Sequence, residues 1–446
     1  MNLDLSKIKN VHFIGIGGIG ISAIARMMIH NGKKVSGQDM QEGEVVKELK
    51  KVGASITIGQ SFSNIPEGTD LIVYTIAIDT YDPDLALKIK TQTEIPIRSY
   101  PEMLDIISRD KYTIAVSGTH GKTTTTAMIA QILRGMKYDP TVIVGSLLTG
   151  DSMNDGQGKS NFIAGNSKYF VVEACEYRRS FLNINPKILI ITNIDNDHLD
   201  YYKDIEDIKS AFREMIARLP VGGYVICNPN DKYIGDVIKN TKAKIINWED
   251  FFDSNLNLKI PGIHNKKNAA AAIAVADILG ISKSDSKKYL AEFLGTWKRF
   301  EFKGNISQGS MVYDDYAHHP TEIKASLDGF RELYSKDDGW KLTVIFQPHL
   351  FSRTKLLLDD FAKSFSDADN VILLPIYHAR EVDNGTISSE ILANEINKNT
   401  NNSKAFINLG DVEIYLKNNL SNMNEKDIVI TMGAGEASKV GDFLLE

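Results

Sequence analysis

The run Thr113-Ile114-Ala115-Val116-Ser117-Gly118-Thr119-His120-Gly121-Lys122-Thr123-Thr124-Thr125-Thr126 constrains this chain more than any other stretch. A β-branched apolar segment enters a glycine turn. The turn opens onto Ala127-Met128-Ile129-Ala130-Gln131-Ile132-Leu133, whose apolar spacing predicts a helix. Strand, turn and helix in that order make a phosphate cradle: glycines let main-chain N–H groups crowd onto phosphate oxygens, and the helix N-terminus adds positive potential. The lysine neutralises β/γ charge, and the hydroxyl after it can hold Mg²⁺. Gly118 and Gly121 are separated by two residues, against four in the general P-loop spacing. A plain turn with a surface lysine is the alternative. The flanking strand and helix favour an ATP site built from Gly118, Thr119, His120, Gly121, Lys122, Thr123 and Thr124.

Length bounds the rest. A chain of 446 residues with 43% hydrophobic and 24% charged content has room for two to four domains, each with its own core. A net charge of −6 without long Lys/Arg blocks argues against nucleic acid and anionic membranes as partners. Cys175 and Cys227 cannot make a disulfide framework and fit a reducing cytoplasm. Met1-Asn2-Leu3-Asp4-Leu5 lacks the basic and apolar regions of a signal peptide. The apolar runs are strand-length, well short of the roughly 18 residues of a membrane span.

Near the N-terminus, Val11-His12-Phe13-Ile14 ends in Gly15-Ile16-Gly17-Gly18-Ile19-Gly20, and a helix with Ile21, Ala25, Met28 and Ile29 on its apolar face follows. Asp39 closes the next strand. This turn suits any pyrophosphate-bearing ligand; NAD, with Asp39 on a ribose, or FAD is one reading, another nucleotide a second, a structural turn a third. Leu71-Ile72-Val73-Tyr74 puts the loop Thr75-Ile76-Ala77-Ile78 on the same carboxyl edge. Arg109-Asp110-Lys111 is a polar joint before the phosphate-loop strand.

Alternating strand and helix candidates then predict a parallel sheet covered on both faces. Two strand exits, Glu173-Ala174-Cys175-Glu176-Tyr177 and Thr192-Asn193-Ile194-Asp195-Asn196-Asp197-His198, flank the phosphate loop in such a fold. Glu173 can bind Mg²⁺, or pair with Arg178 or Arg179; His198 can hold a second metal, or be structural. Glu176 reads equally as a group behind the site or a solvent-facing one, and Cys175 as a small buried side chain rather than a nucleophile. Residues 233–260 read as polar and irregular, with Trp248, Phe251 and Phe252 packing locally. Pro261–Asn268 precedes an Ala-rich helix from Ala269 to Leu279; Asn268 reads as a helix cap or as an amide facing an adenine edge, and His264 stays open.

In the last third, four strands end in polar or glycine-rich loops: Asp314-Asp315-Tyr316-Ala317-His318-His319-Pro320, Gln347-Pro348-His349-Leu350-Phe351-Ser352-Arg353, Pro375-Ile376-Tyr377-His378-Ala379-Arg380 and Gly433-Ala434-Gly435. That pattern predicts a second open α/β sheet facing a cleft. No tight ligand spacing among His318, His319, His349 and His378 supports zinc. Arg353 and Arg380 read as surface ion pairs or as clamps on a substrate carboxylate.

Taken in order, Gly15–Gly20, Gly118–Thr126, Glu173–Tyr177, Thr192–His198, Gly262-Ile-His-Asn-Lys-Lys-Asn268, Asp314–Pro320, Phe346-Gln-Pro-His349 with Ser352-Arg-Thr354, and Gly433–Gly435 resemble the Mur ligase family of peptidoglycan synthesis over nearly the whole chain. The resemblance implies an α/β chain of three domains. Residues 1–109 would be Rossmann-like and bind a UDP-sugar. Residues 110–295 would be a central P-loop ATPase with a mostly parallel sheet, and residues 296–446 a Rossmann-like domain for an amino acid. It implies ATP and Mg²⁺ as cofactors and UDP-N-acetylmuramate and L-alanine as substrates, joined through an acyl phosphate in the cytoplasm by a monomer or weak homodimer. By motif position, Lys122 would cradle β/γ-phosphates, Thr123 and Glu173 would bind Mg²⁺, and His198 would hold a second metal. Asn268 and Asp315 would contact the nucleoside, and Arg299 would come from the closing domain. His318, His349 and Arg353 would border the amino-acid site. Gly17, Gly18, Ile19 and Asp39 would lie along UDP, with Thr75, Asn193 and Arg380 also toward substrate.

Within that resemblance, Cys175 stands where Asp is common, Leu350 where Arg is, Ile76 where a small hydroxyl residue is, and Gln60 where His is. The stretch from Cys227 to Pro261 is short for the family, which predicts a central domain with fewer strands. The competing expectations are a recycling ligase that joins a tripeptide to the same UDP-sugar, a dinucleotide-dependent oxidoreductase or regulator suggested by Gly15–Gly20 alone, and a non-catalytic nucleotide-binding scaffold.

Overall fold

A computed structural model describes residues 3–148, 159–306, 309–379, 381–383, 385–419 and 423–445. The chain divides into two compact units, Met1–Asn257 with Lys267–Leu294, and Leu258–Lys266 with Gly295–Glu446. In the first unit, β1 (Asn10–Ile14), β2 (Lys34–Asp39), β3 (Ser55–Ile58), β4 (Leu71–Tyr74) and β5 (Ile97–Ser99) form a sheet in the order β3-β2-β1-β4-β5. All its pairings are parallel. The chain leaves β1 toward β2 on one side and returns through β4 on the other, so the crevice for a ligand opens at the carboxyl ends of β1 and β4.

The second sheet of this unit contains β6 (Tyr112–Ser117), β7 (Thr141–Leu148), β8 (Ser160–Ile163), β9 (Tyr169–Glu173), β10 (Ile188–Ile191), β11 (Tyr224–Cys227) and β12 (Lys244–Asn247). Their order is β12-β11-β10-β6-β9-β7-β8, parallel except where β8 runs against β7. Continuous runs such as Ile188-Leu-Ile-Ile191 are fully buried, as a sheet covered on both faces requires. The phosphate-loop strand β6 therefore lies between β9 and β10, and both predicted acidic strand exits emerge beside it.

The two sheets share one apolar core, which runs from Phe13 and Ile24 through Met28 to Phe162, Phe170 and Phe212. The helix Ile19–His30 starts at the Gly15–Gly20 turn and buries Ile21, Ile24 and Met28. Each such side chain contributes about 1.5–3 kcal/mol on burial, against about 1 kcal/mol net for a hydrogen bond. Burial therefore outweighs the polar contacts at the same seam, Asn161 Nδ2 to Ser22 Oγ (2.8 Å) and Arg26 to the Lys159 carbonyl (3.2 Å).

The second unit holds β13 (Glu301–Asn305), β14 (Met311–Asp315), β15 (Lys341–Phe346), β16 (Asn370–Leu373), β17 (Ser403–Ala405) and β18 (Asp427–Met432), ordered β13-β14-β18-β15-β16-β17. Only β13 is antiparallel. The four strands read from the sequence as ending in polar loops are adjacent and parallel, so their loops share one edge.

Two expectations are corrected. Residues 233–260 are ordered, with a helix over Lys232–Ile238, strand β12 and a 3-10 turn over Trp248–Phe251. Strand β12 escaped the pattern because it is an edge strand, exposed at Lys244 and Ile245, with no clean apolar alternation. The Ala-rich helix begins at Ile263 and runs to Ile278, so Asn268 lies inside it and is no N-terminal cap.

Candidate active site

Both glycines of the phosphate loop are required where they stand. Gly118 has φ +121° and Gly121 φ +82°, a left-handed region that costs other residues strain. A Cβ on Gly118 would lie 2.1 Å from Thr192 Oγ1, and one on Gly121 would lie 2.6 Å from Asn268 Oδ1. The loop is laced to the exit of β10. Thr192 Oγ1 donates to the His120 carbonyl (2.6 Å), Asn193 Oδ1 accepts from the His120 N–H (2.9 Å), and Asn193 Nδ2 donates to the His120 carbonyl (3.1 Å). Asp195 Oδ2 lies 3.1 Å from His120 Nε2. Gly121 caps the helix Lys122–Gly135 without a side-chain hydrogen bond, so no side chain competes there for an anion.

Lys122 folds back over this loop. Its Nζ donates to the carbonyls of Gly118 (2.5 Å) and Thr119 (3.0 Å) and to Glu176 Oε1 (3.2 Å). Burial works against the ammonium charge, but Glu176 and then Cys175 and Glu173 outweigh it and hold the lysine pKa above its ordinary value. Glu176, left open by the sequence, has a side chain only 2% exposed and is the counter-ion of the catalytic lysine candidate. The pairing joins positions 54 apart, which no local pattern reveals.

Glu173 ends β9 beside the same loop. Its Oε1 accepts from Thr123 Oγ1 (3.1 Å) and its Oε2 from the Gly145 N–H (2.7 Å). Its pairing with Arg178 or Arg179, an open alternative in the sequence, does not occur: Arg179 binds Asp207 (2.8 Å) and Glu214, and Arg178 turns to the first sheet. His198, at φ +55°, places Nε2 3.7 Å from Glu176 Oε1 and 3.9 Å from Asp197 Oδ2. A hydroxyl and carboxylates grouped this way are hard oxygen donors that fit Mg²⁺. Cys175 is exposed, which corrects the expectation of a buried side chain; Cys227 is buried, and both are free thiols.

On the first sheet, the Gly15–Gly20 turn is packed against its neighbours. Asp39 Oδ2 accepts from the Gly17 N–H (2.8 Å), and a Cβ on Gly15 would meet Thr75 Cγ2 at 2.4 Å. Gly18 is the N-cap of the helix that begins at Ile19. Gly17, Gly18, Ile19, Asp39 and Thr75 thus sit around the carboxyl ends of β1, β2 and β4, where the topology opens its crevice.

In the second unit, both oxygens of buried Asp315 accept main-chain N–H groups, from Phe300 (2.9 Å) and Ala317 (2.8 Å). Arg299 lies 5.2 Å from the Tyr316 ring centroid and 3.8 Å from Glu322. His318 faces Glu322 (3.3 Å), and its ring is 5.9 Å from that of His349. Arg353 is buried, with a nitrogen 3.2 Å from His349 Nδ1, which removes the surface ion-pair reading. His319 is used as the N-cap of the helix Pro320–Leu333. Arg380 lies outside the described residues. His264 is half-buried, its pKa lowered to about 4 by loss of solvent and then by Arg299, and among the described residues its inaccessible Nδ1 has no hydrogen-bond partner.

Burial also pushes the Asp314 carboxyl up to about 6, against the pull of Lys298 3.8 Å away and of the Thr431 hydroxyl at 2.9 Å. Between the ordinary carboxylate value and about 6 the folded state holds the extra proton, so stability falls as pH rises through that window, by up to about 1.4 kcal/mol per pH unit. Thermal melts of Asp314→Asn from pH 4 to 7 are expected to lose that component of the slope; an unchanged profile would refute the assignment.

Family models match the chain in three places: the Mur ligase family catalytic domain over residues 10–112, the Mur ligase middle domain over 116–251, and the Mur ligase glutamate ligase domain over 298–435. The chain belongs to the Mur ligase family, and its fold is the three-domain α/β arrangement with mostly parallel sheets. Within that family it is 41% identical to the UDP-N-acetylmuramate–L-alanine ligase of Clostridium acetobutylicum over 100% of both chains. It is also 41% identical to the ligase of the same name from Acetivibrio thermocellus, over 100% of this chain and 97% of that one. The solved UDP-N-acetylmuramate-alanine ligase of Thermotoga maritima superposes with a TM-score of 0.78 at 28% identity, covering 98% of each chain. A murein peptide ligase from Psychrobacter arcticus shares the fold, with a TM-score of 0.70 at 23% identity over 98% of each chain.

Proposed function

We propose that this chain joins L-alanine to the lactyl carboxylate of UDP-N-acetylmuramate at the expense of ATP, in peptidoglycan precursor synthesis. The observation that supports this most is the gathering of Lys122, Thr123, Glu173, Glu176 and His198 at the adjacent carboxyl ends of β6, β9 and β10. Beside it, the full-length identity to alanine ligases favours alanine over a tripeptide as the second substrate. An oxidoreductase reading of Gly15–Gly20 would leave the phosphate loop and its carboxylates without a role.

A carboxylate is a poor acyl donor, so the reaction starts by activating it. A lactyl oxygen attacks the γ-phosphorus of ATP, and ADP leaves with the electron pair of the broken P–O bond. The free amine of alanine then attacks the acyl carbon, loses a proton, and phosphate departs as the C–O bond breaks. In this scheme the ammonium of Lys122 releases Glu176 and takes up β/γ-phosphate charge, together with the first-turn N–H groups of the helix Lys122–Gly135. Thr123, Glu173 and His198 would hold Mg²⁺, which when bound screens the repulsion between triphosphate and carboxylate. The 1–109 segment binds UDP through Gly17, Gly18, Ile19, Asp39 and Thr75, while Asn193 holds the loop through His120. Asn268 and Asp315 serve the nucleoside. Arg299, His318, His349 and Arg353, with Arg380, serve the phosphoryl and amino-acid groups from the 296–446 segment. No helix among the described residues is long and apolar enough to cross a membrane. From the family resemblance we infer a cytoplasmic enzyme that is a monomer or weak homodimer.

The deciding experiment is phosphate release in the presence of Mg²⁺, ATP and UDP-N-acetylmuramate across a panel of amino acids and a muramyl-type tripeptide. Release that needs both the UDP-sugar and L-alanine is the expected result. Release supported by the tripeptide and not by alanine would assign the recycling reaction instead.

A further inference from the structure

The segment that follows Glu173 does more than line the phosphate site. Arg178 and Arg179 both adopt left-handed backbone, at φ +51° and +56°, a conformation rare for residues with a side chain and held only where surrounding contacts impose it. The two side chains diverge from this kink. Arg179 is fixed to Asp207 and Glu214 on the helix Ile205–Ala217. Arg178 reaches the first sheet, where its guanidinium donates to the carbonyl of Ile76 (3.3 Å) and to Thr80 Oγ1 (2.7 Å). Those residues lie just after β4, Ile76 in the loop and Thr80 on the short helix Ile78–Tyr81, a wall of the crevice beside the Gly15–Gly20 turn that packs on Thr75. Tyr177, whose ring lies 5.7 Å from the Arg178 guanidinium, also packs on His198 at 4.8 Å and donates to Asp200 (2.9 Å). A single short segment therefore touches Lys122 through Glu176, His198 through Tyr177, and the β4 loop through Arg178. Among the described residues Arg178 has no carboxylate partner, so its bonds to the loop are made by an uncompensated cation.

We propose that Arg178 is a positioning residue for the sugar nucleotide: it holds the Ile76–Thr80 wall in register with the phosphate site, so that the substrate bound along that wall presents its carboxylate to ATP. This rests on the reading of the first sheet as the UDP-sugar site. The wall follows β4 and the phosphate loop follows β6, so loss of the wall's anchor should weaken the sugar nucleotide selectively.

The test uses the full chain and begins with the wild type, whose phosphate release must require UDP-N-acetylmuramate; without that requirement the reading of the site itself fails before any variant is made. Given it, Arg178→Ala is expected to raise KM for UDP-N-acetylmuramate by about 10- to 100-fold, the loss of hydrogen bonds from a charged group. KM for ATP should stay within about twofold. Arg178→Lys keeps the charge but cannot span both acceptors, and should recover only part of the loss. Thr80→Val should raise the same KM, and the Arg178→Ala/Thr80→Val pair should be no worse than Arg178→Ala, because both act through one contact. An unchanged KM for the sugar nucleotide, additive effects in the pair, or a parallel rise in KM for all substrates with a lowered Tm would each overturn the proposal.

Discussion

Lys122→Ala is expected to reduce alanine-dependent phosphate release by at least about 10²- to 10³-fold, the scale of removing one preorganised charge donor from a reacting centre. A single substitution will also do something that has nothing to do with catalysis. The lysine is the partner of Glu176, whose side chain is 2% exposed. Taking one member out of a buried pair leaves the other charge uncompensated, at a cost of about 3–5 kcal/mol unless the survivor takes up a proton. Lys122→Ala should therefore lower Tm as well as activity. The remedy is Lys122→Ala/Glu176→Gln, which removes both charges together. That variant is expected to regain most of the lost Tm and to remain inactive. If activity returned with stability, the lysine would be a structural cation and the phosphate site would lie elsewhere.

The second large effect is expected at Glu173. Glu173→Gln keeps an oxygen for the Gly145 N–H and turns its NH₂ toward the Thr123 hydroxyl, which can rotate to accept; these groups now lie 2.7 and 3.1 Å from the two carboxylate oxygens, so the strand end should keep its shape. What is lost is the negative charge that a divalent cation needs. Turnover should fall by about 10²- to 10³-fold, and the Mg²⁺ concentration for half-maximal rate should rise. Melting curves with and without Mg²⁺ and ATP check the same point without turnover: ligand-induced stabilisation should shrink in the variant. A variant with normal Mg²⁺ dependence would leave Glu173 as a main-chain latch for Gly145.

The parts of this site that could be read from the sequence are those whose signal is local. Gly118, Gly121 and Lys122 declare a loop because glycine conformation, lysine and helix onset all fall within a few residues. Glu173 and His198 were legible because buried β-strands place whatever follows them on one edge, and Asp39 because it closes a strand one crossover after a glycine turn. The contacts that join distant segments were not legible. Nothing near Glu176 announces that its partner is Lys122, and nothing near Arg178 and Arg179 announces that they turn away from Glu173 in opposite directions. Asn268 falls inside its helix and not before it because Ile263-His-Asn-Lys-Lys, polar and without apolar periodicity, reads as a loop yet is helical. Strand β12 escapes the pattern for the converse reason: an edge strand with both faces partly wet has no alternation to detect.

The apolar core common to the first two sheets has a consequence for how such an enzyme can be rebuilt. The modules proposed to take the sugar nucleotide and ATP are not interchangeable cassettes on a string. Cut at the Arg109–Lys111 joint, each half would carry away an oily face, with Ile24 and Met28 on one piece and Phe162 on the other, and both would be sticky orphans. If the two modules bind as proposed, a shared interior sets how sugar acid and phosphoryl donor line up, and grafting a different sugar specificity here means transplanting the helix Ile19–His30 and its packing partners together.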